Sequence, residues 1–223
     1  MKFRLLALLA VAMLIATSPA WAFDVTWQFA TSTMNGNYGT SQSFTGSDAS
    51  TMVTAYGYQT PSTATDLYGK YTVGDPIETG LGIATPTPLL SPNSFEIGTG
   101  NFIQFDVSSL LSGFTGGSFT IGSLQTGESF MLCGSNSLGT LGTGPDCTAA
   151  IFESGSGTSV NTVSLMNWGS FDFYSIAGVA GDVLIDNLTL TPVNPVPEPI
   201  SMLLLGSGLL GLGFLRRRFG SSA

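Results

Sequence analysis

The chain has 223 residues, of which 29 are glycine and only 9% are charged. Thirteen acidic residues lie between positions 23 and 196, and Lys70 is the only basic residue there. A stretch this acidic lacks the cationic patch that neutralises phosphates, which excludes nucleic acid as a partner. The 15 Phe, 6 Tyr and 3 Trp residues exclude a disordered chain, and with abundant Ser, Thr and Gly they indicate a β-rich domain.

The first 22 residues have the three parts of a cleavable secretory signal peptide. Lys2 and Arg4 provide a basic start, and residues 5–16 form an uninterrupted apolar run. Ala20 and Ala22 then place small side chains at the two positions that a signal peptidase reads. We therefore predict a signal peptide over residues 1–22, which is removed on export.

The central part of the chain alternates short apolar and aromatic runs with clusters of Gly, Asn, Ser and Pro, a pattern typical of strands and turns. Asn35-Gly36 predicts a hairpin turn, and residues 108–111 predict one helical turn. Outside the two ends, no segment keeps a helical period over 12 residues. The predicted strands cover residues 25–30, 52–58, 102–107, 118–124, 129–133, 150–153, 171–176 and 182–190.

These elements predict a mainly β protein. About eight short strands in one exported domain favour a single β-sandwich, jelly-roll-like, over residues 23–190. Cys133 and Cys147 are the only cysteines. Their even number in an exported protein predicts a disulfide bond, since the spacing is not C-x-x-C and further soft ligands are lacking.

The chain contains no histidine. This excludes Ser-His-Asp and Cys-His catalysis and imidazole metal sites. Paired carboxylates for glycoside hydrolysis remain conceivable, but nothing in the sequence brings two of them together. We therefore expect no catalytic residue, no enzyme activity, no metal site and no cofactor. Calcium is the alternative, since it takes oxygen ligands, with Asp182 and Asp186 as the first candidates.

Carbohydrate binding is the molecular activity that the composition favours most. Sugars stack on exposed aromatic rings while short polar side chains bind their hydroxyl groups. The candidate aromatic residues are Tyr56, Tyr58, Tyr68, Tyr71 and Trp168. The alternative is that most of these rings pack in the core or lie singly on the surface.

The C-terminal segment begins with a short Pro-rich spacer at residues 191–196. Pro197, Glu198 and Pro199 follow, and then a charge-free run rich in Leu and Gly over residues 200–215. As a helix this run would be about 24 Å long, slightly short of a bilayer core, and snorkelling arginines compensate. We predict a transmembrane helix over these residues, with the C-terminus on the cytoplasmic side. The basic residues that end it are Arg216, Arg217 and Arg218.

The Pro-Glu-Pro triplet, the short Leu/Gly-rich helix and the terminal arginines together resemble the PEP-CTERM sorting signal of Gram-negative bacteria, over residues 197–220. The resemblance implies processing by an exosortase, an integral-membrane peptidase. It also implies export, anchoring in the inner membrane with the domain in the periplasm, and later transfer to the cell surface or biofilm matrix.

Three hypotheses for the function follow. The first is a non-enzymatic protein of the cell surface or extracellular matrix, associated with exopolysaccharide. The second is a lectin-like module with a defined saccharide ligand, assisted by calcium. The third is a secreted hydrolase.

Overall fold

The computed structural model describes residues 23–31, 35–73, 78–84, 95–153 and 159–193. Residues Phe23–Pro192 form one compact unit. The predicted signal peptide, residues 194–196 of the predicted spacer and the predicted transmembrane helix lie outside the described residues. None of the described residues forms a helix that is long and apolar enough to cross a membrane.

The described residues form fifteen strands and two short 3₁₀ turns. The turns are Ser108–Leu110 and Gly144–Asp146. The strands are β1 (Val25–Gln28), β2 (Gly36–Gly39), β3 (Ser41–Thr45), β4 (Met52–Gln59), β5 (Thr63–Ala64), β6 (Leu67–Lys70), β7 (Gly80–Ile83), β8 (Ile97–Gly98), β9 (Asn101–Asp106), β10 (Phe114–Leu124), β11 (Ser129–Ser135), β12 (Ile151–Phe152), β13 (Ser159–Ser164), β14 (Phe173–Ala180) and β15 (Asp182–Pro192).

The strands form two antiparallel sheets, which we call sheet A and sheet B. Sheet A has the order β13-β10-β15-β7-β6-β2, and β1 and β8 also pair with β15. Sheet B has the order β12-β11-β14-β9-β4-β3, and β5 also pairs with β4. Across the two sheets β15 lies near β11 and β14, and β7 lies near β9. The sheets therefore face each other with β12 and β13 at one side and β2 and β3 at the other.

The core fills the space between the sheets, because alternate residues of each strand point inward. In β9, for example, Ile103 and Phe105 are fully buried in the main apolar cluster. The ring of Phe105 lies 4.9 Å from that of Phe29 and 4.8 Å from that of Phe119, between ring centroids. These contacts join β9 of sheet B to β10 of sheet A and to the residue after β1. Aromatic side chains thus form the centre of the sandwich.

The prediction of a mainly β protein with two packed sheets is confirmed. The predicted helical turn is present as the 3₁₀ turn Ser108–Leu110, and the Asp106 carboxylate accepts a hydrogen bond from the Ser108 amide at 3.0 Å. Strand β15 extends to Pro192, so two residues that we assigned to the spacer, Thr191 and Pro192, belong to the sheet. Gly36, predicted in a hairpin turn, is instead the first residue of β2.

A loop over residues 136–148 covers part of the outer face of sheet B. Gln104 on β9 is fully buried beneath it. Its side-chain amide donates to the carbonyl of Thr140 at 3.1 Å, and its side-chain oxygen accepts from the amide of Gly139 at 2.7 Å. The loop is closed by the two cysteines, Cys133 and Cys147, whose sulfur atoms lie at disulfide distance, 2.04 Å. The loop is therefore tied to the sheet at both of its ends and in its middle.

We predict that replacing both cysteines by alanine lowers the free energy of unfolding by up to about 3 kcal/mol, since the crosslink closes a loop of 14 residues. Denaturant unfolding of the two proteins measures this difference. A Ser43→Ala variant, on an exposed strand of the same sheet, is the control and should unfold like the wild type. Equal stability of the double variant and the wild type would contradict the prediction.

Candidate functional site

The densest group of charged side chains in the described residues surrounds Lys70, and we call it the Lys70 cluster: Lys70, Glu78, Glu96, Ser123 and Asp182. The Lys70 ammonium donates to the Glu78 carboxylate at 2.7 Å and also contacts the Glu96 carboxylate. The Ser123 hydroxyl donates to the other oxygen of Glu78 at 2.9 Å. The Glu96 side chain is 1% exposed. The cluster thus joins the single basic residue of the domain to the buried Glu96 and to two partly exposed acids.

The pairing of the strands brings these residues together. Lys70 ends β6 and lies opposite Gly80, so Glu78, two residues earlier, comes within reach of its side chain. Glu96 directly precedes β8, which pairs with the beginning of β15 at Asp182. A side chain at Gly82 would place its Cβ 1.8 Å from the Phe95 carbonyl oxygen. Only glycine therefore lets the segment that carries Glu96 pass so close over β7.

Ser123 holds Glu78 from an uncommon backbone conformation. Its φ is +54°, in the left-handed region that non-glycine residues rarely occupy. Its side chain is fully buried and its only acceptor in the cluster is Glu78. This residue follows the point at which the pairing of β10 with β13 shifts register, after Ile121. The irregularity of β10 therefore turns a hydroxyl toward the charged cluster.

Burial and the neighbouring opposite charges shift the pKa values of these groups in opposite directions. Burial raises the pKa of Glu96 to about 7, even though Lys70 lowers it. Burial likewise raises the pKa of Asp182 against the opposing effect of Lys70. Burial lowers the pKa of Lys70, but its hydrogen bonds to Glu78 and Glu96 outweigh this and the pKa lies above its ordinary value. Near neutral pH, Lys70 is therefore charged while Glu96 exchanges its proton.

The Lys70 cluster is a closed network of ion pairs in which Glu96 is the group that exchanges a proton near neutral pH. Glu96 Oε2 is buried and has no hydrogen-bond partner. Among the described residues, no group of three or more His, Cys, Asp or Glu side chains is arranged to hold a metal ion. The ammonium of Lys70 lies between two of the carboxylates, where it balances their charge. The ammonium thus pairs with both carboxylates, while one oxygen of the buried Glu96 carboxyl has no hydrogen bond.

We predict that the domain loses stability as the pH rises from about 5 to about 8. The folded state raises the pKa of Glu96 from 4.5 to about 7, so it binds more protons than the unfolded chain in this window. The pKa of Asp182 is raised as well, and its effect has the same sign. Glu96→Gln, which keeps a neutral side chain at every pH, should flatten this dependence in denaturant unfolding.

Asp24→Asn is the matched control for Glu96→Gln, because it removes one carboxylate from an exposed position. It should keep the pH dependence of the wild type. If Glu96→Gln keeps the wild-type slope between pH 5 and 8, the assignment of the slope to Glu96 is wrong.

We also predict that Lys70→Met destabilises the domain by about 3–5 kcal/mol at pH 8, since it leaves the buried Glu96 carboxylate without its counterion. The loss should be smaller at pH 5, where Glu96 is protonated. Lys70→Arg keeps the positive charge, so we expect it to lose less stability than Lys70→Met at both pH values. Chemical unfolding of the wild type and the two variants at both pH values measures these losses of stability. An equal loss for Lys70→Met at pH 5 and pH 8 would contradict the prediction that the charge of Glu96 causes the destabilisation.

The two calcium candidates, Asp182 and Asp186, lie in different surroundings. The backbone amide of Asp182 donates to Glu128 at 3.2 Å, and its side chain belongs to the Lys70 cluster. The carboxylate of Asp186 accepts hydrogen bonds from the side-chain amides of Gln28 and Asn187. The Asp186 carboxylate therefore interacts with protein donors, while the Asp182 carboxyl lies in the field of Lys70.

The five aromatic candidates for sugar binding are spread over the domain. Tyr58 stacks on Phe102, with 5.1 Å between ring centroids. Trp168 stacks on Tyr174 and donates to the carbonyl of Phe114 at 2.8 Å. The ring of Tyr68 stacks on Phe95 beside the Lys70 cluster. Tyr56 and Tyr71 are partly exposed. Because Tyr56 and Tyr58 lie on sheet B and Tyr68 lies on sheet A, the five rings do not form one platform.

The cluster was not found from the sequence. Lys70 stood out as the only basic residue of an acidic domain, and a lone cation among thirteen acids signals an internal ion pair. Its partners Glu78 and Glu96 lie 8 and 26 positions further along the chain, and no periodic pattern connects them. These partners can be identified only once the pairing of β6 with β7 and of β8 with β15 is known.

The described residues thus form an acidic β-sandwich domain with one cysteine pair at disulfide distance. The model of one family, the PEP-CTERM protein-sorting motif, matches residues 195–218. The chain therefore carries this sorting motif, which indicates an exported protein that is anchored in the membrane before an exosortase sorts it. Comparisons with curated proteins and with solved structures found no significant match.

The matched residues include every position that we singled out in the tail, from Pro197 to Arg218. All of them lie outside the described residues, as do Ala20 and Ala22 at the predicted signal cleavage site. The functional information of this chain is thus divided. The tail carries the sorting motif, and the domain carries the Lys70 cluster.

Proposed function

We propose that this protein is a non-enzymatic component of the cell surface or extracellular matrix of a Gram-negative bacterium. In this proposal residues 1–22 direct export, and the tail anchors the chain in the inner membrane with the domain in the periplasm. An exosortase then processes the tail and the domain associates with exopolysaccharide in a biofilm. The observation that carries the proposal is the sorting motif at residues 195–218.

The domain supports a binding or structural role over catalysis. The whole chain lacks histidine. The strongest electrostatic feature of the described residues is the Lys70 cluster, in which the ammonium is already paired and Glu96 is buried. An active site must present its reacting groups to a substrate. A closed network of this kind is suited to holding the fold together.

The surface chemistry is consistent with a hydrated polysaccharide matrix. The only basic residue of the domain is used in an internal ion pair, so the described surface offers acids and hydroxyl groups. An acidic surface keeps the protein soluble and prevents binding to anionic lipid headgroups. Uncharged hydroxyl groups can exchange hydrogen bonds with sugars. We therefore propose neutral regions of the exopolysaccharide as the partner.

The first test is mass spectrometry of the native protein from parent cells and from an exosortase-deficient strain. We predict a mature chain that begins at Phe23 and loses residues beyond the Pro-Glu-Pro region only when the peptidase is present. A variant with Pro197, Glu198 and Pro199 replaced by alanine should keep its tail in the parent cells. Thr191→Ala, outside the matched residues, is the control and should be processed normally.

Retention of the tail in equal amounts in both strains would contradict sorting, and the segment would then act as a permanent anchor. Turnover of a polysaccharide by the purified protein would contradict the non-enzymatic role.

A lectin-like module is the second candidate function, and the outer face of sheet B favours it. Tyr56 on β4 is partly exposed there and lies opposite Ser41 on the edge strand β3. The hydroxyl groups of Ser43 and Thr54 lie 2.9 Å apart on the same face. A ring beside several hydroxyl groups matches the surface of a sugar. A glycan array with and without a chelator tests this candidate, and Tyr56→Ala should abolish any selective binding.

A further inference from the structure

Lys70 and Glu96 bring together the two groups from which an amide is made, a primary amine and a carboxyl. The Nζ atom of Lys70 is in contact with Oε1 of Glu96, and the Cδ atom of Glu96 is one bond further on. Both side chains are largely shielded from water, since 15% of the Lys70 side chain and 1% of the Glu96 side chain are exposed. Two reacting groups that are held in contact inside a fold need no diffusional encounter, and this accelerates their reaction.

The backbone holds this contact from both sides. Lys70 is the last residue of β6 and pairs with Gly80 on β7. Glu96 directly precedes Ile97 on β8, which pairs with Val183 on β15. Because β7 and β8 both pair with β15, the two reacting side chains are anchored to the same central strand. The amine and the carboxyl therefore stay opposite each other as long as sheet A is formed.

Glu78 provides a proton acceptor at the same nitrogen. Its carboxylate accepts a hydrogen bond from Lys70 Nζ at 2.7 Å, which is within the range for direct proton transfer. The hydroxyl of the fully buried Ser123 donates to the other oxygen of Glu78 at 2.9 Å and so fixes the orientation of this carboxylate. An ammonium group has no free lone pair, so the loss of a proton to such an acceptor makes the amine a nucleophile.

The surroundings of Glu96 favour a neutral group over an ion pair. Its Oε2 atom is buried and has no hydrogen-bond partner, and such an atom costs free energy. Burial raises the pKa of Glu96 to about 7, so the carboxylic acid, which is the form that an amine attacks, is populated near neutral pH. Replacement of a buried ion pair by a neutral group of similar shape is often stabilising.

We propose that Lys70 and Glu96 react to form an isopeptide bond, which crosslinks β6 to the segment before β8 within one chain. The Lys70 ammonium gives up two protons, one to the Glu96 carboxylate and one to Glu78. Nζ forms a bond to Cδ of Glu96, and the bond from Cδ to Oε2 breaks. Oε2 leaves as water with both protons, so Glu78 is ionised again and no other reactant is needed. The step occurs once in each chain, so it is a self-modification.

The bond removes two charges and the unpaired oxygen from the interior. It closes a covalent loop over the 26 positions that separate Lys70 from Glu96, apart from the loop that Cys133 and Cys147 close. A crosslink stabilises the folded state by limiting the freedom of the unfolded chain, and thiols do not reduce an amide. The pH dependence predicted above belongs to chains in which the ion pair persists, because the amide does not titrate.

Digestion with trypsin tests the proposal, because trypsin cleaves after a lysine only where the side-chain amine is free. Lys70 is the only basic residue between positions 23 and 196. The full chain is purified from its own cells, denatured, reduced and digested. We predict that the wild-type domain stays in one piece and that its mass is lower by one water molecule than its sequence requires. Lys70→Arg cannot form the bond and should be cut after position 70, which shows that trypsin reaches this site.

Digestion with chymotrypsin identifies the partner of Lys70. It should release a branched peptide that holds Lys70 and Glu96, whereas a branch from Lys70 to Glu78 would overturn the assignment. Cleavage of the wild type after Lys70, together with an undiminished mass, would overturn the proposal itself.

Two further variants test the proton acceptor. Glu78→Gln should give a smaller crosslinked fraction than the wild type at the same time after purification. Asp24→Asn, which removes an exposed carboxylate, is the matched control and should give the wild-type fraction. Equal fractions in the two variants would overturn the role of Glu78. All of these measurements read the domain and not the tail, so their outcome is independent of sorting by an exosortase.

Discussion

Strand β15 pairs with more strands than any other in the described sheets, and the arrangement of the domain depends on it. It pairs with β10 along one side and with β8, β7 and β1 in succession along the other. Its pairing with β1 joins the two ends of the domain, Val25 to Leu190. The matched sorting motif begins three residues after β15 ends at Pro192. The tail can therefore be removed without breaking any of these pairings.

Strand β15 also determines which charged side chains come together. Its first residue, Asp182, pairs with Gly98 and brings β8, and hence Glu96, over the end of sheet A. Lys70 from β6 then neutralises the acids gathered there. In a domain with a single basic residue, this use of the cation in an internal ion pair leaves the exterior without a free basic residue among the described residues.

The strands that were predicted correctly are those with alternating or continuous apolar runs. Residues 52–58, 102–107 and 182–190 nearly coincide with β4, β9 and β15. The strands that were missed, β2 and β13 among them, are rich in Gly, Ser and Asn. Such residues favour turns in isolation. They form strands here because neighbouring strands supply hydrogen bonds and the core covers one face, which is tertiary information.

The sequence by itself determined the class of this protein: an exported, mainly β domain with one cysteine pair, no histidine and a PEP-CTERM sorting tail. Those features are local, since they depend on residue types or on residues close together in the chain. The tertiary structure alone decided that Glu78 and Glu96 bind Lys70, that Gln104 holds the loop closed by Cys133 and Cys147, and that β13 lies at an edge. Each of these relations joins residues far apart in the chain through strand pairing, which many registers of the same sequence would allow and only the packed core selects.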